Sequence, residues 1–402
     1  MTAPTTPDVI VIGAGAAGLF TAIAAGKRGR RVVVVDHAPE AGRKILISGG
    51  GRCNFTNVDA QPQRYLSSNP HFCISALRRY TPRDFLDLVE RHGIAWHEKK
   101  LGQLFCDTSA RDILTMLLAE AADARVELRL GCAVGEVERT GNEFVLETAQ
   151  GQMSAPKLVV ATGGLSIPKM GATDFAYRLA KRWGISVVAP RPGLVPFTFT
   201  PQDLARTQGL SGVALDAVVS TGTAKAAAFR EALLITHRGL SGPSILQVSS
   251  YWQPGQPITV DLTPDLDLGE HLKAAKRARP NAELKTILGD VLPRRFAERL
   301  CGDGGAGEVE SRPLRDLADK ALADVAARLK RWTVVPAGTE GYRTAEVTVG
   351  GIDTNDLSSK TMESKAVPGL HFVGEAVDVT GWLGGYNFQW AWSSGWVAGQ
   401  AV

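Results

Sequence analysis

The chain has 402 residues, 44% of them hydrophobic and 21% charged, which predicts a globular protein of two or three domains. The net charge is only +4, from 45 Lys and Arg against 41 Asp and Glu, and this balance argues against a nucleic-acid partner. No stretch approaches the ~18 apolar residues of a membrane span, and no signal peptide is visible. The five cysteines are odd in number and widely spaced, as expected of reduced thiols, so we expect a cytoplasmic protein.

A dinucleotide-binding fingerprint opens the chain. Residues 8–12 read DVIVI, a buried strand, and the glycine-rich segment 13–18 follows at once. An alanine-rich helix is predicted over residues 19–29, and a second apolar strand over 31–35 ends at Asp36. The order strand, glycine turn, helix, strand and acid predicts a Rossmann-like nucleotide-binding unit.

Each glycine of this fingerprint has a physical task. Gly13 permits the tight turn, Gly15 lets a pyrophosphate approach the backbone, and Gly18 lets the helix pack on the sheet. The pyrophosphate then lies at a helix N-terminus, and Asp36 accepts hydrogen bonds from a ribose. A second glycine match at residues 302–307 follows a helical pattern instead of a strand, and we predict a loop there.

The later glycine segments favour FAD over a nicotinamide dinucleotide, because they lie far from the fingerprint and suit an extended cofactor. Residues 157–162 predict a strand that ends at Gly163, and residues 369–374 predict another that ends at Glu375. An acid in this last position commonly binds the ribitol chain, and Asp378 is the alternative carboxylate. Residues 380–391 then lead by glycines into a helix, whose N-terminus can face the flavin pyrimidine.

Five segments together resemble the bacterial NAD(P)/FAD-dependent oxidoreductases described as BaiN-like or aminoacetone-oxidase-like. The segments that carry the resemblance are residues 13–18, 42–57, 161–173, 235–243 and 348–387. The resemblance implies an α/β fold of the two-dinucleotide-binding-domain superfamily, in which a split Rossmann-like FAD-binding domain carries an inserted β-rich domain and a small helical domain.

The sequence agrees with these three parts. Short strands are predicted over residues 213–220, 258–262 and 332–335, and helices over 282–300 and 314–329. The predicted domains are FAD-binding at 1–194 and 340–402, β-rich at 195–265 and 331–339, and helical at 266–330.

The predicted cofactor site combines the fingerprint with the later segments. Residues 48–57 should lie close to the isoalloxazine, because three glycines let backbone pack flat against the ring. The predicted cofactor-binding residues are Gly13, Gly15, Ala16, Ala17, Gly18, Asp36, Lys44, Ser48, Gly50, Gly51, Arg52, Cys53, Asn54, Val134, Ala161, Thr162, Gly163, Gly374, Glu375, Gly385, Tyr386 and Asn387. Cys53 has no second cysteine nearby, since position 58 is Val, so we expect it to pack beside the flavin instead of forming a dithiol relay or a covalent flavin link.

The sequence identifies no catalytic side chain outright. His237 is a candidate general acid or a structural histidine, and Lys44 and Tyr386 are similar candidates. No cluster of His, Cys and carboxylates has metal-ligand spacing, so no metal is expected.

We therefore predict an FAD-dependent oxidoreductase that reduces a small or flat unsaturated organic substrate with NAD(P)H. Only one fingerprint is convincing, so NAD(P)H is expected to bind transiently at the flavin face. The alternatives are a flavin amine oxidase that passes electrons to oxygen and a non-catalytic flavin-binding or regulatory protein, with RNA binding as one version of the last. The expected partner is a small molecule, with neither nucleic acid nor membrane, while the substrate, the electron acceptor and the oligomeric state stay open.

Overall fold

The computed structural model describes residues 6–222, 227–302 and 310–402. The chain divides into two compact units, one of residues 1–191 and 347–402, the other of residues 192–346. The second glycine match lies almost wholly in residues 303–309, outside the described residues.

A parallel five-stranded sheet forms the centre of the first unit, with both faces covered, as the predicted α/β fold class requires. Its strands, in spatial order, are Leu370–Phe372, Lys157–Val160, Val9–Ile12, Val32–Val35 and Glu127–Arg129. The strands predicted at residues 8–12, 31–35, 157–162 and 369–374 are thus confirmed. Three of them, Val9–Ile12, Val32–Val35 and Leu370–Phe372, are buried at every residue, and Lys157–Val160 is buried at all but its first.

Helices and small sheets complete this unit. The helices are Ala16–Gly26, Arg43–Ile47, Ile74–Arg79, Pro82–Arg91, Ala110–Asp123, Phe175–Arg182 and Tyr386–Ala401. The remaining strands are Asn54–Asn57, Tyr65–Leu66, Trp96–Glu98, Gln103–Cys106, Val134–Thr140, Glu143–Thr148, Gly151–Ala155, Val187–Gly193, Val347–Ile352 and Thr380–Gly381.

The C-terminal helix, Tyr386–Ala401, packs directly on the first helix, Ala16–Gly26. The contact is close because the C-terminal helix presents glycine: a Cβ on Gly399 would lie 2.5 Å from the Cβ of Ala24. Trp392, two turns before Gly399, is fully buried: its ring stacks on Phe85 with centroids 4.4 Å apart and lies edge-on to Phe20 of the first helix at 5.6 Å. This packing fixes the start of the C-terminal helix relative to the glycine turn of the fingerprint.

The second unit is built on an antiparallel seven-stranded sheet. Its strands, in spatial order, are Trp332–Val334, Ile258–Asp261, Ala214–Ser220, Phe229–Ile235, Gly239–Ser241, Phe197–Thr198 and Gly338–Thr339. Its helices are Pro201–Arg206, Pro243–Ser249, Leu268–Ala278, Leu284–Leu288, Arg294–Leu300 and Asp319–Lys330.

Two predicted helices of this unit differ from the structure. The helix predicted over residues 282–300 is two helices. The first ends before Gly289. Pro293, which cannot donate a backbone hydrogen bond, directly precedes the second. The helix predicted over 314–329 begins only at Asp319, and residues 314–316 form a single 3₁₀ turn instead.

A buried histidine makes the stability of the first unit depend on pH. His371 is fully buried, its Nδ1 lies 2.9 Å from the carbonyl oxygen of Thr361, and its Nε2 has no hydrogen-bond partner within the described ranges. Burial lowers the pKa of His371 to about 4, against about 6.5 in the unfolded chain. Between these two pKa values the unfolded chain binds a proton at His371 and the folded protein does not. The free energy of unfolding therefore falls by about 3 kcal/mol as the pH drops from about 6.5 to 4.

We expect His371→Phe to flatten this dependence. Between pH 7.5 and pH 5 the free energy of unfolding of the wild type should fall by about 2 kcal/mol more than that of the variant, as measured by urea unfolding. His71→Phe, at an exposed histidine, controls for the exchange of ring type. Equal pH slopes in wild type and His371→Phe would contradict the assignment.

Candidate cofactor site

The glycine turn of the fingerprint is closed so tightly that side chains are excluded from two of its positions. A Cβ on Gly13 would lie 2.5 Å from the carbonyl oxygen of Ala161, and one on Gly18 would lie 1.8 Å from the carbonyl oxygen of Gly13. The backbone of the first strand, of the first helix and of the strand ending before Ala161 therefore meet at one point. This is the convergence that a pyrophosphate site requires.

Gly15 differs from its two neighbours, because a Cβ there would meet no protein atom within 4 Å. Its φ of −83° is open to any residue, so the protein's own conformation does not require glycine here. The first helix starts at Ala16 with no side-chain cap and no acidic residue in its first turn. The space beside Gly15 thus faces helix N–H groups that lack a side-chain acceptor, which suits a phosphate.

Asp36 lies directly over this turn. One carboxylate oxygen accepts a hydrogen bond from the backbone N–H of Ala14 at 2.7 Å, and the other accepts from the N–H of Ala38 at 2.8 Å. Each oxygen has a second lone pair, so the carboxylate can also accept from the hydroxyls of a ribose. The backbone bonds fix its orientation before any ligand arrives.

The strand beside the fingerprint ends in a polar group that lacks a partner. Thr162 follows Ala161, and its hydroxyl oxygen is buried without a hydrogen bond to any described residue. Gly163, with φ of +73°, turns the chain away with open space at its Cβ position. Because buried hydroxyls are normally satisfied, this one indicates that a ligand atom belongs here.

A second glycine turn runs from Ser48 to Gly51, and its lack of side chains leaves space for a flat ligand against the backbone. Gly49, Gly50 and Gly51 all have positive φ, and no protein atom lies within 4 Å of a Cβ on Gly50 or Gly51. Arg52, the next residue, is exposed.

Cys53 is fully buried, and burial raises the pKa of its thiol to about 12. The side chain therefore stays a neutral thiol at physiological pH, and all five cysteines are free. This chemistry favours the predicted packing role over nucleophilic or redox work.

Lys44 joins two of the predicted segments. Its ammonium donates to the carboxylate of Glu375 at 2.7 Å and to the hydroxyl of Ser166 at 2.6 Å. The other carboxylate oxygen of Glu375 accepts from Ser166 at 2.9 Å and from the backbone N–H of Thr348 at 2.9 Å. The Glu375 carboxylate is thus held by protein groups on both oxygens, and any contact with a ribitol chain would use its remaining lone pairs.

Ser166 and Thr348 were absent from the predicted cofactor residues. Each stands close to a glycine pair, Gly163–Gly164 and Gly350–Gly351, and that proximity was the available signal. Asp378, the alternative carboxylate, accepts from both the backbone N–H and the hydroxyl of Ser68, at 2.8 and 2.7 Å. Its side chain secures a loop of the first unit.

The turn before the C-terminal helix is pressed against the strand Asn54–Asn57. A Cβ on Gly385 would lie 2.3 Å from the carbonyl oxygen of Thr56. Asn387 closes the turn, because its amide accepts from the N–H of Gly381 at 2.8 Å and donates to the carbonyl oxygen of Gly381 at 2.9 Å. Tyr386, a weak catalytic candidate, is buried with its ring edge-on to Tyr65.

The remaining candidates lie apart from these contacts. Val134 begins a strand two residues after Cys132, whose N–H donates to the carbonyl oxygen of Asp36 at 2.8 Å. His237 belongs to the second unit, where its exposed side chain lines an open cavity of about 370 Å³ with Thr236 and Gln208.

Within residues 6–222, 227–302 and 310–402, no group of three or more His, Cys, Asp and Glu side chains has the arrangement of a metal site. Over the same ranges no helix is both long and apolar enough to cross a membrane.

Comparisons with known proteins agree with a Rossmann-like cofactor site in the first unit. A model of the family described as HI0933-like protein Rossmann domain matches residues 7–401. The ribosomal RNA dihydrouridine synthase of Escherichia coli (strain K12) is 53% identical over 393 residues, which cover 98% of this chain and 97% of that protein. The enzyme of the same name from Haemophilus influenzae is 47% identical over 397 residues, 98% of each chain.

More distant proteins share the fold. A 3-dehydro-bile acid delta(4,6)-reductase of Clostridium scindens is 27% identical over 406 residues, 98% of each chain. The crystal structure of a 3-ketosteroid-delta4-(5alpha)-dehydrogenase from Rhodococcus jostii aligns with a TM-score of 0.50 and 13% identity, over 99% of this chain and 98% of that one. This likeness concerns the fold alone, a Rossmann-like FAD-binding α/β architecture, and the FAD-binding prediction is confirmed at that level.

The predicted partner is corrected by these comparisons. We expected a small-molecule substrate and no nucleic acid, whereas the two relatives of 53% and 47% identity are named for ribosomal RNA. The expectation rested on a net charge of +4, and a sum over the whole chain says nothing about how cations are distributed on one face.

Proposed function

The chain belongs to the family of the HI0933-like protein Rossmann domain, and we propose from this that it is an FAD-dependent dihydrouridine synthase of ribosomal RNA. One observation carries the proposal: 53% identity to the Escherichia coli enzyme over 98% of the chain. The aligned residues include both units, with the glycine turns of the first and the seven-stranded sheet of the second.

The chemistry fits the predicted type of reaction. The C5=C6 bond of uracil is conjugated to a carbonyl, so the base is flat and unsaturated, and its reduction needs one hydride and one proton. FAD, when bound and reduced by a nicotinamide dinucleotide, would supply the hydride to one carbon of that bond. The chain must therefore orient cofactor and base, exclude water and deliver the proton to the other carbon.

The first unit contains the groups for cofactor binding. The space beside Gly15 would receive the pyrophosphate at the start of the first helix, Asp36 would bind the adenosine ribose, and the hydroxyl of Thr162 would gain a hydrogen-bond partner. The glycine turns at 49–51 and 384–385 allow backbone to approach the flat ring.

Lys44 is the best-positioned of the three candidate acids. Glu375 and Ser166 hold its ammonium by two hydrogen bonds, so one of its three N–H groups is left to point at substrate or cofactor. Tyr386 is buried and His237 is exposed in the second unit, so we consider these two side chains weaker candidates for the general acid.

The test is direct production of dihydrouridine. Purified holoprotein is mixed anaerobically with NADH or NADPH. Bleaching of the oxidised flavin is followed by its absorbance at about 450 nm. Ribosomal RNA from cells lacking this protein is then added, and nucleosides are analysed by mass spectrometry after digestion. We expect bleaching, reoxidation on addition of RNA, and a gain of two mass units on one uridine.

The amine-oxidase alternative predicts different results from the same preparation. Peroxide released on addition of amines and oxygen, with no dihydrouridine from RNA, would support it. A flavin that neither nicotinamide nor amines reduce would support the non-catalytic alternative. Either pattern would overturn the proposed function.

A further inference from the structure

The hairpin turn of residues 99–102 displays an apolar side chain in a strained conformation. The turn joins the strands Trp96–Glu98 and Gln103–Cys106, and Leu101 at its tip is 63% exposed. The φ of Leu101 is +51°, in the left-handed region that branched side chains avoid. Exposure of an apolar side chain and a strained backbone each cost free energy. A bulky residue with both features therefore points to a functional role.

Hydrogen bonds hold this conformation rigidly. The N–H of Lys99 donates to the carbonyl oxygen of Gln103, and the N–H of Gln103 donates to that of Lys100, each at 3.0 Å. The N–H of Gly102 donates to the Glu98 carboxylate at 3.1 Å. The tip is therefore a fixed protrusion of the first unit.

Asn57 ties the turn to the candidate cofactor site. Its side-chain amide donates to the carbonyl oxygen of Leu101 at 3.0 Å and to that of Gly384 at 2.9 Å. Gly384 belongs to the glycine turn before the C-terminal helix. One buried side chain thus sets the tip at a fixed distance from the turn that we assign to the flavin.

The surroundings of the tip suit RNA. Lys99 and Lys100 are exposed beside Leu101, and Val58, 56% exposed, extends the apolar surface. The ammonium of Lys99 lies over the ring of Phe105, 5.3 Å from its centroid, which keeps this cation at the base of the turn. Two cations next to an apolar side chain complement the phosphates and the stacked bases of an RNA.

We infer that Leu101 is a wedge that enters the base stack of the RNA substrate and occupies the place vacated by the target uridine. The inference rests on the proposed function, because an enzyme that works on one base of a structured RNA must take that base out of its stack. An apolar side chain that replaces the missing stacking partner favours the extruded state. The two lysines contact the phosphate backbone beside that place.

Leu101→Gly tests the wedge without endangering the fold, because glycine adopts the positive φ more readily than leucine. Two RNAs share the sequence around the modified uridine, one with that uridine stacked in a stem and one single-stranded. We expect kcat/KM of the variant to fall about 10- to 100-fold on the stem, the loss expected for one stacking contact. On the single strand it should stay within about twofold, because no stacking partner has to be replaced there.

Three controls make the result decisive. Leu101→Met, which keeps a long apolar side chain, should retain the stem activity, and so should Val335→Ala, which shortens an exposed aliphatic side chain of the second unit. Nicotinamide-driven bleaching of the flavin, a step without RNA, should proceed at the wild-type rate in all variants.

Equal activity of Leu101→Gly and wild type on the stem would overturn the wedge and leave the proposed function standing. An equal loss on stem and single strand would also overturn it, since Leu101 would then act in general RNA or protein contacts. Failure of the wild type to make dihydrouridine in either RNA would instead overturn the proposed function, and the wedge with it.

Discussion

Gly15→Val is expected to yield a folded protein that has lost FAD. The side chain would project into the open space beside the first helix, where no protein atom lies within 4 Å, so the polypeptide itself tolerates it. The pyrophosphate would lose its approach to the helix N-terminus, an interaction of up to about 2 kcal/mol, and FAD binding should weaken about 30-fold or more. Flavin absorbance per protein after purification, with circular dichroism of the same sample, measures both effects.

Gly18→Val is the contrasting variant. Its Cβ would lie 1.8 Å from the carbonyl oxygen of Gly13, so this protein should be poorly folded with or without cofactor. Gly15→Val should instead match the unfolding free energy of wild-type apoprotein to within about 1 kcal/mol. A Gly15→Val protein that purified with full FAD would disprove the placement of the pyrophosphate.

Gly385→Ala should be strongly destabilising, because it combines backbone strain with a steric overlap. At φ of +94° an alanine is strained by about 1–2 kcal/mol, and its Cβ would lie 2.3 Å from the carbonyl oxygen of Thr56. The overlap adds about 1–3 kcal/mol, so we expect a total loss near 3 kcal/mol in urea unfolding. The turn must also move away from the strand Asn54–Asn57, and FAD content should fall with it.

Gly93→Ala separates the two causes. Gly93 has φ of +66° and no atom within 4 Å of its Cβ position, so this variant bears the conformational strain without the overlap. It should lose only about 1–2 kcal/mol and keep its FAD. If both variants lost the same stability, the tight contact between the C-terminal turn and Thr56 would be refuted.

These variants probe one arrangement, in which three distant stretches of sequence converge. The fingerprint meets Ala161 through Gly13, Lys44 reaches Glu375, and the C-terminal turn meets Thr56. Each contact depends on a different glycine or charged residue, so a single substitution can disrupt one contact and leave the others in place. Cofactor loss, destabilisation and altered turnover can therefore be assigned to individual contacts.

The fingerprint and the sheet were determined by the sequence itself. Periodicity and turn chemistry act over a few residues, and the strand, glycine turn, helix, strand and Asp36 follow one another directly in the chain. For the same reason the buried strand at residues 157–160 was predictable, while the long helix over 282–300 was not, because Pro293 interrupts a pattern that is otherwise helical.

The tertiary structure alone decided the partners of charged and polar groups. Glu375 is turned onto Lys44 and Ser166, which lie 331 and 209 residues away in the chain, and Asn57 reaches across 327 residues to Gly384. No local pattern encodes such pairs, since a hydrogen bond depends on positions in space. The role that we infer for Leu101 also depends on the tertiary structure. The sequence Lys99-Lys100-Leu101 gives no sign of it, because only the fold sets the positive φ and the exposure of Leu101 and its link through Asn57 to Gly384.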